Sequence, residues 1–286
     1  MRPPIAALAA ALLALPAHAQ VPVVAAEQVY GNLTTQIAGP AATVTAILRN
    51  PAQDPHLFEA APATARAIAT AHLVIANGAG YDPWISTLLA ASPSTTRITL
   101  TIADLVHAPP GGNPHLWYAP ATMRAALNAI TGALLRLAPR DAATLTAGAA
   151  RASARLDLVD AKVAALRARF AGQAIAATEP VFGPMAAALG LTMRDARFQL
   201  AVMNGTEPRA SDIAAIEADL RTHRIRALLT NAQVSDPATQ RLLAIAKDAG
   251  IPVVGVTETE PPGDDYAAWM LAELGPLEAA LAAPPT

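Results

Sequence analysis

Two seven-residue stretches of this chain follow one pattern: DPHLFEA from Asp54 and NPHLWYA from Asn113. Each runs Asp or Asn, Pro, His, Leu, aromatic, any residue, Ala, and together they use two of only six histidines, His56 and His115. The proline fixes one backbone dihedral and biases the residue before it toward extended geometry. The aromatic residue two positions after the histidine can anchor the loop in apolar surroundings. Each imidazole therefore sits on a stiff frame with little freedom to lose on binding. One such histidine is an ordinary loop residue, but two on consecutive strand–loop units point to a pair of metal ligands.

Zinc takes four ligands, and carboxylate oxygens are acceptable partners for imidazole. Glu179 is the best third candidate, because it ends an expected strand immediately before a helix; its bland reading is a solvated glutamate at a helix start. A fourth comes from VVGVTETEPPGDDY, which offers Glu258 and Glu260 after the last strand. Glu258 is nearer the strand end and is preferred, against the alternative of a solvated acidic loop.

The elements that must position these residues read as alternating strands and helices. In the first half, VPVVAAE, Thr43 to Leu48, HLVIANG and TRITLTIA read as strands; VYGNLTTQIAG, closed by Gly39, and Thr64 to Ala71 read as helices. The second half repeats this grammar. QAIAATE, FQLAVM, IRALLTN and IPVVGVT read as strands; VFGPMAAALG, Ser211 to His223 with Ser211 as N-cap, and Pro237 to Gly250 read as helices. Strands alternating with helices predict parallel sheets with helices on their faces. Between the halves, residues 140–170 are rich in alanine and arginine, with leucines at helical spacing. Asp141 is placed to cap that helix and Gly172 to stop it. About thirty helical residues would span roughly 45 Å. The expected fold is thus α/β with two similar lobes, each a mainly parallel sheet with flanking helices, joined by one long helix. The boundaries are 20–138, 139–171 and 172–286. Ligands of open α/β sheets bind at strand C-terminal ends, which is where the four candidates fall.

Residues 1–19 read differently. Arg2, an apolar run from Ile5 to Leu15 and Ala17-His18-Ala19 form a secretory signal with an A-x-A cleavage site, too short to span a membrane. The formal charge of the whole chain is −2, leaving no basic field for nucleic acid or an anionic membrane. There is no cysteine, hence no disulfide, thiolate ligand, cysteine nucleophile or lipid-bearing cysteine. These features predict a soluble periplasmic monomer.

The chain resembles the periplasmic zinc/manganese-binding proteins of ABC importers over essentially all of the mature sequence. The stretches that carry the resemblance are DPHLFEA, ANGAGYDPW, NPHLWYAP, TEPVFGPMAAALG and VTETEPPGDDYAAWM. It implies two α/β lobes joined by a long helix, capture of a divalent metal, and delivery to a membrane permease. It also implies that His56 and His115 are metal ligands. The family's third ligand is His in zinc members and often Glu in manganese members, at the position matched by Glu179. Its fourth is usually Asp, where this chain has Glu258. The segment TLTIADLVHAPPGGN is short and lacks the His-rich loop common in zinc members. His72, His107 and His223 match no ligand position. The implied cargo is Zn²⁺, with Mn²⁺ as the alternative.

Two other readings compete. A carrier of an organic solute would leave the twin histidines unexplained. A zinc hydrolase would also use two His and a carboxylate, with an open position for water. However, the chain lacks H-E-x-x-H, G-x-S-x-G and any cysteine nucleophile. Transport rather than catalysis is the expectation.

Overall fold

The computed structural model describes residues 20–50, 58–234 and 236–284. The N-terminal signal and the segment carrying Asp54 and His56 lie outside them. The first half comprises β1 (Val21–Glu27), α1 (Gln28–Ala38), β2 (Ala42–Leu48), α2 (Pro62–Thr70), β3 (Leu73–Ala76), α3 (Pro83–Ala91), β4 (Ile98–Thr101), α4 (Ile102–Leu105) and α5 (Pro120–Leu137). Then comes the long helix α6 (Ala142–Phe170). The second half comprises β5 (Ala174–Ala177), α7 (Gly183–Leu189), β6 (Thr192–Met193), α8 (Ala196–Met203), α9 (Ala210–Arg221), β7 (Leu228–Asn231), α10 (Pro237–Asp248), β8 (Val253–Val256) and α11 (Tyr266–Ala282).

The strands form two parallel sheets of four, ordered β2-β1-β3-β4 and β6-β5-β7-β8. The order is the same in both, so each half places its first strand between its second and third. Chain direction therefore diverges at β1 and at β5, and a crevice opens at their carboxyl ends. β1 and β3 are buried along nearly their whole length, as expected of strands covered on both faces.

Helix α6 joins the sheets. Its buried positions are Leu145, Gly148, Ala152, Leu156, Val159, Val163, Leu166 and Phe170, a stripe spaced by threes and fours. That stripe belongs to one apolar cluster that includes Val23 and Ile75 of the first sheet and Ile175, Leu229 and Val254 of the second. Polar contacts fasten the exposed flank. Arg124 of α5 pairs with Asp157 (2.8 Å) and with Asp160, and Arg155 pairs with Asp265 (2.7 Å) at the N-cap of α11. The apolar core is thus continuous through both sheets.

Three local expectations are corrected. FQLAVM is helical, within α8, and the strand beside β5 is the short β6. Asp195, in the left-handed region at φ 59°, turns the chain into that helix, which buries Phe198 and Gln199 and exposes Leu200. A six-residue apolar run does not distinguish the two periods. Ser211 lies inside α9, whose N-cap is Arg209. Asp141 does occupy the N-cap of α6, but its side chain makes no capping hydrogen bond.

Candidate metal centre

The strand ends of the two sheets face each other, and the candidate residues sit on the segments that leave them. His115 precedes a 3-10 turn, Leu116–Tyr118, that follows β4 and α4. Its ring is wholly buried and packs edge-on against Tyr81 and Trp117, with centroids 5.7 and 5.6 Å away. Asn113, two residues earlier in the repeated motif, orients it. The Asn113 Oδ1 accepts from the His115 backbone N–H at 3.0 Å and lies 2.8 Å from His115 Nδ1. With Nδ1–H donated there, Nε2 presents its lone pair to the crevice, the tautomer a metal ligand needs.

That Nε2 stands 3.3 Å from Oε2 of Glu258, which leaves the end of β8 in the other sheet. Glu258 is 4% exposed and Glu179, beyond the end of β5, is 5% exposed. Neither is a solvated surface carboxylate. Asn231, the last residue of β7, lies between them: its Nδ2 donates to Glu179 Oε2 at 2.5 Å and to Glu258 Oε1 at 2.6 Å. Its Oδ1 accepts from the backbone N–H of Gln233 at 3.0 Å, which fixes the orientation of the amide. Tyr81 donates its hydroxyl to Glu258 Oε2 at 3.0 Å. Gln233 Oε1 accepts from the backbone N–H groups of Glu258 and Thr259, at 2.5 and 3.0 Å.

Glu260 points elsewhere. Its Oε1 accepts from Asn32 of α1 at 2.5 Å, and burial pushes its carboxyl up to about 9. Beside it, a small cleft is lined by Glu27, Leu48, Tyr81, Glu258 and Glu260. Glu27 is buried at the end of β1, and burial first, then the charge of Asp82, holds its carboxyl well above the usual range. Asp82 is in turn fixed by the backbone N–H groups of Asn77 (2.7 Å) and Gly78 (2.8 Å).

The structure thus sets His115 directly beside Glu258 and links Glu179 to Glu258 through Asn231. Among the described residues, no group of three or more His, Asp or Glu side chains is arranged to hold a metal ion. His56 lies outside those residues. Phe58, the aromatic of its motif, packs on Trp84 with centroids 4.8 Å apart, the anchoring expected of that position. His72, His107 and His223 are exposed, away from the buried cluster. Sequence reasoning did not single out Tyr81, Asn113 or Asn231. Asn113 had a signal, the Asp/Asn shared by both motifs. Asn231 had only its place at a strand end.

Two parallel sheets with facing strand ends, bridged by a long helix, define a two-lobed α/β protein. Residues 23–280 match the family model of ZnuA, the periplasmic zinc-uptake complex component A, and the chain belongs to that family. Its fold is also that of solved periplasmic metal-binding proteins. The periplasmic zinc-binding protein TroA from Treponema pallidum is 17% identical, with a TM-score of 0.79 over 93% of this chain and 100% of that one. The Mn-bound periplasmic metal-binding protein from Candidatus Liberibacter asiaticus is 17% identical, with a TM-score of 0.76 over 92% and 100%. The metal-free S38A mutant of the latter is 16% identical, with a TM-score of 0.77 over the same shares. The family is one of periplasmic metal-binding transport receptors. No helix among the described residues is long and apolar enough to cross a membrane.

Proposed function

We propose that this chain captures a divalent transition metal in the periplasm, zinc first and manganese second, and delivers it to the membrane permease of an ABC importer. His56 and His115 from lobe 20–138 and Glu179 and Glu258 from lobe 172–286 are the ligands, with residues 139–171 as the spacer. Residues 1–19 direct export. The single observation that supports this most is the 3.3 Å approach of His115 Nε2 to Glu258 Oε2, deep in the crevice. An imidazole with its second nitrogen turned inward, beside a buried carboxylate, is half of a zinc site. Two neutral imidazoles and two carboxylates carry the charge that a divalent cation neutralises. Without that cation, buried carboxylates repel one another at a cost in stability.

Binding to the folded state alone stabilises by mass action, about 2.7 kcal/mol at a hundredfold excess of free metal over Kd. Thermal melts of the chelated protein, with and without added Zn²⁺ or Mn²⁺, test this reading. A clear rise in Tm with a 1:1 endpoint is expected. No shift with any first-row divalent metal would remove the carrier reading.

A further inference from the structure

We propose that Asn113 is a positioning residue that couples the ring of His115, in the first half of the chain, to the Glu179 segment of the second. The inference deepens the metal-carrier reading above and rests on it. The two ends of the Asn113 side chain differ in chemistry, and the fold uses both. Its Oδ1 accepts from the backbone N–H of His115 at 3.0 Å and lies 2.8 Å from Nδ1 of the same ring. Its Nδ2 reaches the other half and donates to the carbonyl of Pro180 at 2.5 Å. Pro180 directly follows Glu179 and opens the buried 3-10 turn Pro180–Phe182.

An aspartate could fill only the first of these roles, because a carboxylate has no proton to donate to a carbonyl. The repeated motif carries Asp54 in its first copy and Asn113 in its second. The bond to Pro180 gives the amide of the second copy a physical reason. Its surroundings are shaped to it as well. A Cβ on Gly183, the first residue of α7, would stand 2.7 Å from Asn113 Nδ2, so a larger residue there displaces the amide. Gly183 has helical backbone geometry at φ −51°, so it is needed for space and not for conformational freedom. The carbonyl of Pro114, between Asn113 and His115, is held by Asn77 Nδ2 at 2.8 Å. The backbone beside His115 is thus fixed from its own half, while Asn113 ties the orientation of the ring to the other. Ligands set relative to one another before the ion arrives have little freedom to lose on binding it.

The test is a double-mutant cycle on the full chain with Asn113→Ala and Gly183→Ala, reading Kd for Zn²⁺ by competition with a chromophoric chelator. Proton–nitrogen NMR of the metal-free proteins reads the His115 Nδ1–H signal, which a held acceptor protects from exchange with water. Removing a group that orients a metal ligand commonly costs ten- to a hundredfold in affinity, and Asn113→Ala is expected to fall in that range. Gly183→Ala leaves both Asn113 and His115 chemically intact, yet should weaken zinc binding by about tenfold and abolish the Nδ1–H signal. Because both changes act through one amide, the double variant should bind within about twofold of Asn113→Ala alone. Effects that multiply, an unchanged Nδ1–H signal in Gly183→Ala, or wild-type affinity in either single variant would overturn the proposal and leave Asn113 a merely structural residue. If Asn113→Ala does not fold, Gly183→Ala decides: a lost signal with weaker zinc binding supports the coupling, and an unchanged signal or affinity overturns it. A wild-type chain that binds no zinc removes the carrier reading, whereas a Nδ1–H signal indifferent to Gly183→Ala removes this inference alone.

Discussion

Glu273 and Tyr118 form a hydrogen bond of 2.8 Å between α11 and the turn that follows His115, beneath the loop that carries Glu258. Tyr118 also donates to the carbonyl of Thr257 at 2.6 Å, while Glu273 Oε1 accepts from Thr257 N–H and Trp269 Nε1–H, both at 2.9 Å. Tyrosine has one hydroxyl proton for two acceptors. The arrangement is complete only if Glu273 is a neutral acid donating to Tyr118, which then donates to Thr257. Burial pushes the Glu273 carboxyl up to about 7, in the direction this requires.

The sign of the pH effect follows. Folding raises Glu273 from its ordinary 4.5 to about 7, so the folded state keeps a proton that the unfolded chain releases. Its stabilisation is complete below about pH 4.5 and is lost as pH rises through about 7. Glutamine reproduces the neutral acid, donating through its amide. Urea melts of the chelated protein should therefore show a smaller loss of stability in Glu273→Gln than in the wild type over that window. Identical slopes would mean that Glu273 is already ionised in the fold.

Glu258 and Glu260 should separate cleanly. Glu258→Ala removes the carboxylate beside His115 and is expected to weaken zinc binding by more than the ten- to hundredfold typical of residues that only support a ligand. Glu260→Ala breaks a contact with Asn32 and should leave zinc affinity within a few-fold of the wild type. Parallel titrations decide this, and equal small effects would mean that neither coordinates.

Zinc is expected to bind tightly and manganese measurably but more weakly, because intrinsic affinity for nitrogen and oxygen sites rises from Mn²⁺ toward Zn²⁺. Manganese displacing equimolar zinc in a competition titration would reverse this ranking.

Gly148 lets α6 lie against the end of α1. A Cβ there would stand 2.1 Å from the carbonyl oxygen of Ile37 and 2.8 Å from that of Gln36. Both are backbone atoms of a packed helix and cannot step aside alone. Gly148→Ala gains up to about 1 kcal/mol of helix propensity but should lose more, since overpacking of this kind costs about 1–3 kcal/mol. A lower urea midpoint at unchanged m is the expected result, and a higher midpoint would show that the two helices separate freely.

Much of this protein was legible in the chain itself. Alternating strand and helix periods gave the two parallel sheets, because burial on both faces demands apolar strands and one-sided helices. The proline-framed repeat drew attention to His115, which the structure buries beside Glu258, while His56 lies outside the described residues. Glu179 and Glu258 were readable as strand-end carboxylates, where open sheets bind ligands. FQLAVM was misread, because a short apolar run satisfies either period and packing beside β5 decides between them. The sequence preferred Glu258 to Glu260 only for its nearness to the strand end; the tertiary structure turns the first toward His115 and the second toward Asn32. The tertiary structure alone placed Asn231 between two carboxylates from different strands of the second sheet. Local sequence sets the conformation of a segment, but which side chains share a buried space depends on how distant segments pack, and no local pattern encodes that.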